Sequence, residues 1–175
     1  MPNWCSNIIY VANTKHDAEA LRERLEGNVD EDWLLAYFVP EPKYANESDE
    51  CPDWYGWRIE NWGTKWEVNI DEWEEIPTDD PDIVRFRITF DSAWAPPVPV
   101  YEAMQRKGWA VDAFWWEPGM CFCGRWDDGD VEEWLTNDLD ITEWKDTFPY
   151  VEEQFDMVNT AKSWENDNYD REGGN

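Results

Sequence analysis

Positive charge is scarce in this sequence. Its 175 residues hold 14 Lys and Arg against 41 Asp and Glu, a formal net charge of −27 at pH 7. A chain of that sign has no general means of neutralising phosphates, so direct contact with nucleic acid or an anionic membrane is not expected. Histidine is scarcer still. The only one, His16, sits beside Asp17 at the start of an amphipathic stretch and reads as a surface residue. A metal-binding histidine pair is therefore absent, and no phosphate-cradling glycine loop or nucleophile elbow occurs either. Paired carboxylates are too common here to single out an acid–base site, so no catalytic residue is assigned and the chain is not read as an enzyme. No apolar run approaches the roughly 18 to 20 residues of a membrane span. Residues 1–7 (MPNWCSN) have neither a basic segment nor a long apolar stretch, so a signal peptide is not expected.

Cysteine is also sparse. Cys5, Cys51, Cys121 and Cys123 are too few for a disulfide framework in a chain of this length, and they read as reduced thiols in a cytoplasm. The period-2 rule puts Cys121 and Cys123 on one face of a strand, with Cys5 able to come near. A structural zinc site needs four Cys or His ligands. Buried free thiols are the simpler expectation, with no metal and no cofactor.

Aromatic residues, in contrast, are abundant: 17% of the chain, including 15 Trp. Disordered acidic chains lack them, so this is a folded protein with an acidic skin. Residues 4–11 read as a strand, followed by a helix with Thr14 as its cap and Ala18, Leu21 and Leu25 at helical spacing. The apolar run at 33–39 fits a strand or a short helical turn. Residues 64–71 and 84–91 alternate as an antiparallel pair joined by an acidic connection over 72–82. A helix starts at Pro97 or Pro99 and ends at Gly108, and a strand follows over 109–117. Residues 120–126 and 131–135 form a hairpin around Asp128 and Gly129. Val151, Phe155, Val158 and Lys162 then mark one C-terminal helix.

This order gives an α+β fold, a ferredoxin-like βαββαβ sandwich extended by a β-hairpin and a C-terminal helix. The expected domain covers 1–126, with a Trp-rich insertion loop at 40–63. Residues 127–168 supply an acidic hairpin strand and helix packed on the same domain, and 169–175 a flexible tail. Lys65, Arg85 and Arg87 are expected on the outer face of the paired strands, receiving acidic side chains from the C-terminal helix.

Four segments carry a resemblance: residues 1–7 (MPNWCSN), 60–66 (ENWGTKW), 90–97 (FDSAWAPP) and 117–124 (EPGMCFCG). In composition and order they are similar to the YubB-type ferredoxin-like family of bacteriophage and plasmid accessory proteins. The resemblance implies a mobile-element protein of ferredoxin-like topology, without an iron–sulfur cluster, and supplies no catalytic residue. The expected function is binding: an acidic inhibitor of a host defence or nucleic-acid-handling protein with a basic surface, imitation of DNA being one route, acting as a monomer or weak dimer. The expected contacts are Asp127, Asp128, Asp130, Glu132 and Glu133 around the hairpin, with Glu152, Glu153 and Asp156 on the helix. The alternative is a small-ligand or carbohydrate-binding module using Trp54, Trp57, Trp62 and Trp66.

Overall fold

The computed structural model describes residues 3–27, 34–42 and 54–172, with side chains as far as Trp164. Strand β1 (Trp4–Thr14) runs three residues beyond its expected end. Thr14 closes it and caps helix α1 (Lys15–Leu25), its hydroxyl accepting from the Asp17 N–H at 3.3 Å. Ala18, Leu21 and Leu25 are buried, as their spacing predicts.

The run at 33–39 resolves as helix α2 (Leu34–Phe38), and Trp33 lies outside the described residues. The Glu67 carboxylate stands at its first turn, accepting from the Leu35 and Ala36 N–H groups at 2.8 Å each. The second half of the expected Trp-rich loop is helix α3 (Trp54–Trp62), which ends at Gly63 with φ of +76°. Strand β2 (Ile70–Ile76) begins where the expected strand 64–71 should be finishing. Residues 64–69 are instead held irregularly: Thr64 donates to the Ala93 carbonyl at 2.8 Å, and Val68 is buried in the core. Strand β3 (Ile83–Ala93) alternates as predicted, with Val84, Phe86, Ile88 and Phe90 inward. Helix α4 (Val98–Arg106) buries Val100, Tyr101, Ala103 and Met104.

Strands β4 (Ala110–Glu117), β5 (Phe122–Asp127) and β6 (Asp130–Leu135) complete one six-stranded antiparallel sheet in the order β2-β3-β1-β4-β5-β6. The single expected C-terminal helix is three: α5 (Trp144–Thr147), α6 (Pro149–Phe155) and α7 (Met157–Glu172). Asp156 adopts a left-handed conformation, φ +48°, and separates the last two.

The helices divide between the two faces of the sheet. Helices α1 to α4 bury their apolar sides with Cys5, Ile9, Val11, Ile88, Ala113 and Trp115 in the larger core. Phe114, Trp116 and Cys123 point the other way and pack with Phe148, Val151 and Met157 in a second, smaller core. The β4 run from Ala113 to Trp116 is continuously apolar because successive side chains serve both cores.

Gly124 of β5 lies where this packing is tightest. A Cβ there would run into the Trp115 ring and come within 2.6 Å of the Glu132 carbonyl oxygen. Gly124→Ala should therefore destabilise the fold by about 2 kcal/mol through overpacking. Urea denaturation checks this, and an unchanged midpoint would contradict the packing.

Candidate functional site

The acidic residues of the hairpin do not form one equivalent set. Asp128 (φ +48°) and Gly129 (φ +102°) make its two-residue turn, a left-handed pair that the Asp-Gly sequence suits. The Asp128 carboxylate accepts from the Gln105 side-chain amide at 2.5 Å, which ties the turn to α4. Asp127 is held by Arg125 at 2.6 Å, and the same guanidinium reaches Asp112 at 3.4 Å and lies over the Phe114 and Tyr150 rings. Burial pushes the Asp112 carboxyl up, and Arg125 opposes that shift. Asp112, Asp127 and Asp128 line a groove of about 420 Å³ with Tyr10 and Arg85.

Asp130, Glu132 and Glu133 differ from these. All three are exposed, and no cation among the described residues pairs with them. They stand on β6, the outer strand of the sheet, beside Val131 and Leu135, which are more than half exposed. The turn makes Asp127 and Asp130 a hydrogen-bonded pair, and pairs alternate from there. Val131, Glu133 and Leu135 therefore turn their backbone N–H and C=O groups away from β5.

The three helix residues divide as well. Glu153 is exposed. Glu152 is buried, 8% exposed, with Lys145 3.8 Å away. That corrects its expected place on a contact surface, since charge reversal there would bury a cation beside Lys145. Asp156 is exposed, but its carboxylate accepts from the Asn159 amide at 2.8 Å and its backbone forms the break between α6 and α7.

The four tryptophans of the alternative site also part company. Trp62 is 1% exposed and donates its indole N–H to the Val39 carbonyl at 2.8 Å, so it is a core residue. Trp57 packs edge-on against it at 5.7 Å. Trp54 is 42% exposed, and Trp66, half-buried, meets Trp4 at 6.1 Å. Cations hold this cluster together. Arg58 lies over Trp54 and Trp62 and pairs with Glu41 at 2.7 Å, while Lys65 lies over Trp66 and Tyr55.

Lys65 is thus off the sheet. Arg87 pairs with Glu74 of β2 at 3.7 Å, and Arg85 lies over the Tyr10 ring. The partners of these cations come from β1, β2 and their own surroundings, which corrects the expected neutralisation by the C-terminal helix.

The segments singled out by resemblance meet at one end of the sheet. Trp94 donates its N–H to the Asn3 carbonyl at 3.0 Å, and Thr64 bonds Ala93 as described above. Buried Asn7 donates to Ser92 Oγ at 2.8 Å and accepts from the Tyr101 hydroxyl at 3.1 Å. The buried Glu117 carboxylate accepts from the Gly119 and Met120 N–H groups. These residues are structural partners of one another, a convergence that no periodicity in the sequence could show.

The thiols are apart. Cys5 belongs to the larger core and Cys123 to the smaller one across the sheet, and Cys121 (φ +61°) lies in the turn before β5. The expectation of Cys121 and Cys123 on one strand face is corrected accordingly. Cys51 lies outside the described residues. Among the described residues no group of three His, Cys, Asp or Glu side chains is placed to hold a metal ion. His16 is exposed on α1. No helix described here is long and apolar enough to cross a membrane.

Compared with known proteins, the chain has no significant match to a family model, to a curated protein or to a solved structure.

Burial pushes the Cys123 thiol up to about 12 and raises that of Cys5 well above its usual value, with nearby carboxylates adding to both shifts. The fold thus favours the neutral thiols. Their contribution to stability is complete below the ordinary thiol pKa of about 8.5 and is lost as pH rises from there towards the folded values. Cys5 and Cys123 should therefore resist iodoacetamide at about pH 8 in the native protein, with Cys121 alkylated first among the three. Peptide mass mapping checks the order, and early labelling of Cys123 would contradict it.

Proposed function

We propose that this chain is a binding protein whose β5–β6 hairpin and outer strand engage a basic surface on another protein. The observation that carries the reading is the set of exposed, unpaired carboxylates of Asp130, Glu132 and Glu133 on a strand with an open backbone edge. Such a surface attracts a basic partner over long range and selects against acidic ones. The neighbouring exposed Val131 and Leu135 supply apolar contact once the partner is seated.

Within this proposal the β2-β3-β1-β4 portion, with α1 and α4 on one face, is a ferredoxin-like βαββαβ unit. The chain is a YubB-type accessory protein of a phage or plasmid. Its target is a host defence or nucleic-acid-handling protein in the bacterial cytoplasm, the kind of protein that carries a basic channel. The strand order, antiparallel throughout, and the convergence of the four motif segments support that assignment. The ligand-binding alternative on Trp54, Trp57, Trp62 and Trp66 is weaker, because Trp62 and Trp57 are occupied with the core.

The test is a pull-down from bacterial lysate with the full chain, at low and raised salt. The comparison is with a variant carrying Asp130→Lys, Glu132→Lys and Glu133→Lys. A control with Glu23→Lys, Glu72→Lys and Asp79→Lys makes the same charge change at exposed positions elsewhere. The wild type and control should retain one stoichiometric partner that salt releases. The hairpin variant should lose it with an unchanged melting temperature. Equal retention by the hairpin variant, or no specific partner at either salt, would overturn the proposal.

A further inference from the structure

A groove of about 290 Å³ lies on the outer side of the sheet, where the β4–β5 turn, the segment after β6, α5 and α7 meet. Its walls include Trp116, Cys121, Thr136, Asn137, Trp144 and Trp164. No charged side chain lines it among the described residues, in a chain of which 31% is charged. We propose that this groove binds a neutral sugar ring, one residue of an oligosaccharide, and that Trp164 occupies the ring's place in the free protein.

The hydrogen-bonding groups point to that class. The indole N–H groups of Trp116 and Trp144 are buried and have no acceptor. The side chains of Thr136 and Asn137 make no hydrogen bond within the described protein, so four residues that line the groove carry a hydrogen-bonding group without a partner. A ligand that serves them all must both donate and accept at several points around a small ring, as sugar hydroxyls do. The size agrees, since the volume is at the small end for ligand sites and admits one ring with the rest of a chain leading outward.

The aromatic geometry points the same way. Trp164 is 46% exposed and stacks on Trp116 with centroids 5.5 Å apart and planes 18° from parallel. The Trp164 ring offers no acceptor to the unpartnered Trp116 N–H, whereas a ring bearing hydroxyls in its place carries several. With Trp116 and Trp164 already in contact, no slot between two rings is present to sandwich a flat base. Once Trp164 moves aside, the exposed Trp116 face is a one-sided platform suited to the apolar C–H face of a pyranose. The absence of charged walls selects a neutral sugar.

The test is a titration of the ¹⁵N-labelled full chain with cellotriose, maltotriose and N,N′,N″-triacetylchitotriose, following the indole N–H resonances. At least one sugar should shift the Trp116, Trp144 and Trp164 signals saturably and leave those of the other tryptophans in place. Trp164→Ala should tighten binding several-fold by removing the competing ring, and Asn137→Ala should weaken it about tenfold by loss of a hydrogen bond. Both positions are exposed enough that folding is not at stake. Bound sugar should also slow alkylation of Cys121. No saturable shift with any of the three sugars, in wild type or Trp164→Ala, would overturn the proposal. So would an equal effect of the two substitutions, or shifts produced by adenosine and by none of the sugars. The hairpin reversal variant should bind sugar normally, which keeps this test separate from that of the protein-binding proposal.

Discussion

The burial of β4 on both faces is the constraint on which the rest of this structure depends. Trp115 and Ala113 face one helical layer, and Phe114 and Trp116 face the other. A strand with an apolar residue at nearly every position cannot sit on the surface of a two-layer sandwich without exposing half of them. It requires a second layer, and α5 to α7 provide it. Their cover does not extend across the whole sheet. Over the β2–β3 half, the outer face shows Glu74 and the half-buried Arg87 to solvent, and its polar residues match that exposure.

The charge distribution follows from the same arrangement. Among the described residues, ion pairs engage Arg22, Arg58, Arg87, Arg106, Arg125 and Lys145. Several of these guanidinium groups, with Lys65 and Arg85, also lie over aromatic rings. Most of the described guanidinium groups are thus used internally, several of them holding loops and edges against the core. Glu67 and Glu117 are held by backbone N–H groups, and most of the remaining carboxylates face water, where mutual repulsion opposes edge-to-edge association of the sheet. Both outer strands, β2 and β6, carry this acidic cover. At β6, however, it is joined to exposed apolar residues.

Much of the fold was legible in the sequence, and the failures have physical causes. Helix α1, strand β3, helix α4 and the Asp128-Gly129 hairpin are local structures, each declared by a cap, an alternation or a turn pair. Strand β2 is different. Residues 64–69 alternate well, but Thr64 and Glu67 are committed to tertiary hydrogen bonds and Val68 to the core, and the acidic stretch 70–76 pairs with β3 despite poor strand propensity. The irregularity between Ile70 and Glu72 marks the change. Helix α3 was hidden by Gly56 and by the turn residues before it. The division at Asp156 left no sign, because Val151, Phe155 and Val158 keep helical spacing across it. Glu152 is adjacent in the chain to Val151 and goes down with it. For the candidate sites, the exposed hairpin acids could be read directly. The groove behind α7 could not, since it joins residues separated by nearly fifty positions, Trp116 to Trp164.

In the proposed reading, the outer strand with its uncompensated carboxylates is the working surface of this protein. Hydrogen–deuterium exchange of the chain, alone and in complex with its captured partner, tests it most directly. The account predicts slowed exchange at the backbone of Val131, Glu133 and Leu135, where the N–H groups face away from β5, with little change over α3 and β2. Protection confined to the backbone of α3, with the β6 edge exchanging as freely as before, would contradict it.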